Sequence, residues 1–158
     1  MPTGRAAALL SSLALGLPHA GTLIPGRSLA GIRLGDTYVQ VRSTWGPRFG
    51  HCRGCTDETW YFGYRPFEPQ GAAVSFGGGR VIAVYTLAAP AGWHTDRGLR
   101  IGDPAARVTA LYGRRARTGC DGYSTIRIAG ARAAAEIYVA AGRVYGFGLT
   151  RPVLPACR

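Results

Sequence analysis

Two stretches of the chain carry apolar residues at helical spacing. Tyr38, Val41 and Trp45 stand at i, i+3 and i+7, and Ala105, Val108 and Tyr112 repeat that spacing. Each set predicts a short helix that buries one stripe. Each is entered from an extended apolar segment and a Gly-Asp pair, Ile32-Arg33-Leu34-Gly35-Asp36 and Leu99-Arg100-Ile101-Gly102-Asp103. Asp36 and Asp103 are the predicted N-caps, with Pro104 at the first helical position of the second copy. Gly46 and Gly113 are the predicted C-caps. Laid over one another without a gap, Gly31–Gly46 and Gly98–Gly113 share Gly31/Gly98, Arg33/Arg100, Gly35/Gly102, Asp36/Asp103, Val41/Val108 and Gly46/Gly113.

After each helix the pattern changes to runs of β-forming residues. Thr59–Tyr64 is one, followed by a proline-containing connection; Ala72–Phe76 and Val81–Leu87 flank the turn signal Gly77-Gly78-Gly79. In the second half the runs are Gly122–Ile128, Arg132–Val139 and Arg143–Thr150, with a turn at Ala140-Ala141-Gly142. The fold class this predicts is α+β, two tandem repeats, each a short helix followed by three antiparallel strands. The organisation reads as a signal peptide (1–20), a lead-in (21–30), a first repeat with linker (31–97) and a second repeat with a C-terminal tail (98–158).

The signal reading rests on Arg5, the apolar run Ala6–Leu17 and the small residue Ala20. Twelve apolar residues are too few for a permanent membrane span, so export without an integral membrane segment is expected. The 158 residues carry a formal net charge of +11, and all 19 basic residues are arginine. Such a balance points to nucleic acid or to an acidic surface. The arginines are scattered, with only Arg114, Arg115 and Arg117 clustered, unlike the basic stripe with interleaved aromatics of a nucleic-acid binder. An anionic cell-envelope component or a protein is the expected partner.

The cysteines Cys52, Cys55, Cys120 and Cys157 form an even set on an exported chain, which reads as a disulfide framework with three possible connectivities. The short spacing favours Cys52 with Cys55, leaving Cys120 with Cys157. A zinc site using His51, Cys52 and Cys55 is weakened because the second pair lacks C-x-x-C spacing. A redox C-x-x-C should open a helix, and this one precedes a strand; covalent haem needs His where Thr56 stands. No cofactor is expected.

Catalytic chemistry is sparse. His94 and Asp96 flank Thr95, and Glu58, Glu68 and Glu136 show no spacing that forces a carboxylate pair. The expectation is a secreted non-enzymatic binding module, and the alternative is a secreted hydrolase or thiol enzyme using a Cys/His pair. Trp60 and Phe62 read as core. Tyr61, Tyr64, Trp93 and His94 are the candidate ligand contacts, the last two lying in the linker where a groove could form.

The start I-x-L-G-D-T-x-x-x-V at Ile32–Val41, then a short helix, then strands, resembles the β-lactamase-inhibitor-protein-like fold and the related small outer-membrane assembly lipoproteins. The chain is also similar to secreted actinobacterial proteins with a C-x-x-C…TWYF segment, here Cys52–Phe62. The resemblance implies a fold whose members act by binding proteins. The chain has no lipobox cysteine and nothing that matches an inhibitory loop.

Overall fold

The computed structural model describes residues 16–63 and 71–158. The candidate contact Tyr64 and most of the signal-like run lie outside them. Strands dominate the fold. β1 (Ala20–Ile24), β2 (Ser28–Leu29) and β7 (Gly92–Thr95) make a three-stranded sheet in the order β2-β1-β7. Eight more strands make one antiparallel sheet, β3-β4-β5-β6-β11-β10-β9-β8. They are β3 (Gly50–His51), β4 (Glu58–Phe62), β5 (Gly71–Gly77), β6 (Arg80–Ala88), β8 (Ala116–Gly119), β9 (Ser124–Ile128), β10 (Ala134–Ala140) and β11 (Arg143–Thr150). The helices are α1 (Tyr38–Trp45) and α2 (Ala105–Tyr112).

This corrects the expected fold class. The protein is mostly β and is not two repeats of a helix with three strands. Four strands of the large sheet follow each helix, and all eight join in that single sheet. The last residue of the expected signal peptide, the start of the lead-in and the linker supply strands that pair in parallel, Ala20 to Leu23 with Gly92 to Thr95. Neither departure has a local cause that spacing can register. β3 is two exposed residues and β8 is exposed throughout, so neither carries an apolar alternation. The β1–β7 pairing is set by burial of Leu23 and Trp93 in the common core.

The helix starts also differ from expectation. Thr37, not Asp36, caps α1: its hydroxyl accepts from Gln40 N, and the Gln40 side chain accepts from Thr37 N in return. Pro104 occupies the cap position of α2 and makes no side-chain cap bond. The aspartates close the preceding turn, Asp36 Oδ2 accepting from Arg33 N at 2.8 Å and Asp103 Oδ2 from Arg100 N at 2.9 Å. Each turn then docks on the hairpin of its own half. Gly35 N donates to Val81 O and Val81 N to Asp36 O; Gly102 N donates to Val144 O and Val144 N to Asp103 O. Arg80 and Arg143 lock the arrangement by donating to the carbonyls of Gly35 and Gly102.

One face of the large sheet meets both helices and the small sheet. Val41 and Trp45 from α1, Val108 and Tyr112 from α2, Leu23, Leu29 and Trp93 from the small sheet, and Trp60, Phe62, Ile137, Phe147 and Leu149 from the large one share this core. Trp45 packs edge-on to Phe62 at 5.2 Å. Fully burying such side chains stabilises by about 1.5–3 kcal/mol each. The opposite face of the sheet carries different residues.

Candidate functional site

Alternation along the strands sorts their side chains into two sets. In β4, Trp60 and Phe62 enter the core while Thr59 and Tyr61 point the other way; in β10, Ala135, Ile137 and Val139 enter it, leaving Glu136 and Tyr138. Tyr85 of β6, Tyr138, Tyr61, Tyr123 and Tyr145 gather on this second face with Leu154. Tyr145 is brought there by a bulge in β11, where the register with β10 shifts between Tyr138 and Val139. Ring centroids lie at 5.9 Å for Tyr123–Tyr138, 6.0 Å for Tyr123–Tyr145 and 6.0 Å for Tyr138–Tyr145.

The cluster needs two glycines. A Cβ at Gly148 would stand 2.3 Å from the Tyr138 hydroxyl oxygen, and one at Gly146 would stand 2.1 Å from Thr86 Oγ1 and 3.1 Å from the Tyr138 ring. The sequence Tyr145-Gly146-Phe147-Gly148 therefore sends Phe147 into the core and leaves bare backbone that Tyr138 can approach closely.

Beneath the rings is a fully buried carboxylate. Glu136 accepts from Tyr138 Oη at 3.0 Å and Thr150 Oγ1 at 3.3 Å, and it pairs with Arg127. The electrostatics follow from this setting. Burial, then the Glu136 charge, pushes the Tyr138 hydroxyl well above its ordinary range. Burial with Tyr123 nearby raises Tyr145 to about 12. Burial, then Tyr61, raises Tyr85. These phenols stay protonated; the Tyr138 hydroxyl is spent on Glu136, while half-buried Tyr145 presents a group that can both donate and accept at the tip of an apolar ring.

The candidate contacts separate. Tyr61 belongs to this face, half-buried, with its hydroxyl 3.6 Å from Cys55 Sγ. Trp93 does not provide an exposed contact: its ring is fully buried against Trp45, and its Nε1 donates to Pro18 O at 2.8 Å. The small sheet turns this ring inward, against Gly21, which lacks the Cβ that would collide with it. His94 sits on the small sheet, on the core-covering side of the large one, with Nε2 3.3 Å from Thr22 Oγ1 and Nδ1 3.2 Å from Gly92 O. Tyr61 and His94 therefore do not share a site. Sequence reasoning missed Tyr85, Tyr123, Tyr138 and Tyr145, although the period-two alternation of Glu136 and Tyr138 with Ile137 and Val139 marked an outer polar-aromatic face.

Cys52 is bridged to Cys55 and Cys120 to Cys157. Two such bridges belong to an oxidising environment, and the protein is secreted or extracytoplasmic. No helix among the described residues is long and apolar enough to cross a membrane.

No family model matches the chain, and no curated protein matches it. Solved structures share its fold. An extracellular protein containing an SCP domain from Bacillus anthracis is 12% identical, with a TM-score of 0.51 over 75% of this chain and 44% of that one. A cysteine-rich secretory protein from Staphylococcus aureus is 13% identical, with a TM-score of 0.50 over 89% of this chain and 48% of that one. The chain thus spans about half the length of these two proteins. A DUF4309 family protein from Bacillus subtilis, 11% identical, covers 73% of this chain and 78% of its own at a TM-score of 0.47.

Proposed function

We propose that the protein is a secreted binding module whose contact surface is the tyrosine face of the large sheet, and that it acts without catalysis. The observation that carries the reading is the gathering of Tyr61, Tyr85, Tyr123, Tyr138 and Tyr145 on the side of the sheet away from the main core. Tyr61, Tyr123 and Tyr145 are half-buried there over the buried Tyr85 and Tyr138, and half-buried tyrosines give large contact area at low entropic cost, with a polar tip for orientation. The partner is a protein or an anionic cell-envelope component, in keeping with the net charge of +11. The likeness of the helix-start motif to β-lactamase-inhibitor-protein-like folds points the same way. The thiol-enzyme alternative lacks its nucleophile, since all four cysteines are bridged.

The test is cosedimentation of the purified protein with isolated cell walls, and capture of supernatant proteins, at low and high salt. Tyr61→Ser with Tyr145→Ser, folded by circular dichroism, should lower retention by about tenfold or more, the equivalent of ~1.4 kcal/mol. Equal retention of the double variant and the parent overturns the reading.

A further inference from the structure

The tail that follows β11 does not leave the molecule. Pro152–Arg158 runs across the end of the tyrosine face and is held mainly through its backbone. Arg127 donates to Pro152 O at 3.3 Å and to Leu154 O at 2.8 Å. Thr125 Oγ1 donates to Ala156 O at 3.1 Å. Tyr123 Oη donates to Arg158 O at 2.8 Å and accepts from Arg158 N at 2.7 Å. The Arg158 guanidinium lies 5.7 Å over the Tyr85 ring, and Leu154 packs on the cluster.

Apolar burial does little to keep the tail in place. Pro152, Val153 and Pro155 are exposed, Val153 by 88%, and the tail forms no strand of its own. It is also tied covalently, by the bridge from Cys157 to Cys120 just beyond β8. Both sulfur-bearing residues are partly exposed. The other bridge, Cys52–Cys55, spans three positions between β3 and β4 and tethers no such segment.

We propose that Pro152–Arg158 is a redox-latched strap that regulates access to the tyrosine face; this rests on reading that face as the binding surface. A thiolate of a dithiol reductant attacks one sulfur of the Cys120–Cys157 bridge, and the displaced sulfur leaves as a thiolate and takes up a proton. The reductant's second thiol then resolves the mixed disulfide. Two protein thiols and one oxidised dithiol result, with two electrons transferred. Release frees the Tyr123 hydroxyl and the Tyr85 ring, and uncovers the edge of the cluster at Tyr138. The carboxylate of Glu136 keeps its bonds to Tyr138 and Thr150.

The experiment uses the full chain as Cys52→Ser with Cys55→Ser, so that the strap bridge alone responds to dithiothreitol. Hydrogen exchange is followed by mass spectrometry before and after reduction and thiol alkylation. The amide of Arg158, which donates to the Tyr123 hydroxyl, should exchange at least about 100-fold faster on reduction, and faster than those of β5, β6, β10 and β11, the signature of local opening. Nitration of Tyr123 should rise in parallel. Unchanged exchange in the strap overturns the latch, because the hydrogen bonds then suffice without the bridge. Exchange throughout the large sheet as fast as in the strap also overturns it, making the bridge a structural staple. Cys120→Ser with Cys157→Ser provides the same comparison without reagent. Isolated cell walls are the binding probe: if the strap opens with no change in retention while Tyr61→Ser with Tyr145→Ser still lowers it, regulation of the face is overturned, and if neither changes retention, the binding reading is overturned.

Discussion

Arg127 bonds the buried carboxylate of Glu136 and two backbone carbonyls of the tail with one guanidinium. It is the only ionic partner Glu136 has among the described residues, at a site where that carboxylate is fully enclosed. Arg127→Met leaves a buried charge uncompensated and should cost about 3–5 kcal/mol in urea unfolding. The double variant Arg127→Met with Glu136→Gln should recover a large part of that loss. A double variant no more stable than Arg127→Met refutes the pairing as the source.

The two disulfides should differ in their effect on stability. The Cys120–Cys157 bridge closes a 37-residue separation and Cys52–Cys55 one of three. In the chain-entropy treatment, removing the first costs about 4 kcal/mol and the second about 2 kcal/mol. Paired serine variants compared by denaturant unfolding check the order. Equal losses contradict it.

Gly148→Ala should destabilise by roughly 1–3 kcal/mol, since the new methyl meets the Tyr138 hydroxyl. Tyr138→Phe removes the atom it meets. The alanine substitution should therefore cost less in the phenylalanine background, and a thermodynamic cycle over the four proteins measures the difference.

Stability should fall at alkaline pH. Tyr138, Tyr145 and Tyr85 hold their protons more tightly when folded than the ordinary phenol value of 10.0. Below pH 10 both states are protonated and nothing is lost. From pH 10 up to about 12, the raised value at Tyr145, the unfolded chain ionises first and unfolding gains. Tyr138, raised well above its ordinary value by burial and the Glu136 charge, adds to this loss. Unfolding curves at successive pH values should show that loss, and Tyr138→Phe should lessen it.

Local elements were legible in the sequence because their causes are local. The spacing of Val41 and Trp45, and of Val108 and Tyr112, marks the buried stripes of α1 and α2. The glycines at 77–79 and Gly142 mark the hairpin turns, and Trp60 with Phe62 marks the buried side of β4. What was not legible depends on distant partners. Ala20–Ile24 carries no clear alternation and becomes a strand because β7 lies beside it. Asp36 looks like a cap but is taken up by Arg33 N, leaving the cap to Thr37. Trp93 reads as an exposed linker aromatic and becomes core only once the small sheet forms. The tyrosine face depends on the bulge that turns Tyr145 outward and on the bare backbone at Gly146 and Gly148, neither of which has a period.

The parallel pairing of β1 with β7 also sets an order of events during folding. Thr22 and His94, partners in that ladder, are 72 residues apart. The β5–β6 and β10–β11 hairpins close across turns of a few residues and can form on the microsecond scale. β1 must wait, unpaired on its long side, until the chain through β6 is in place and β7 arrives. During synthesis it is the first of these strands made, and it has only the two-residue β2 as a neighbour until β7 arrives. Until then its long edge stays open, and strand edges left open in this way are where a newly made chain is exposed to capture by another.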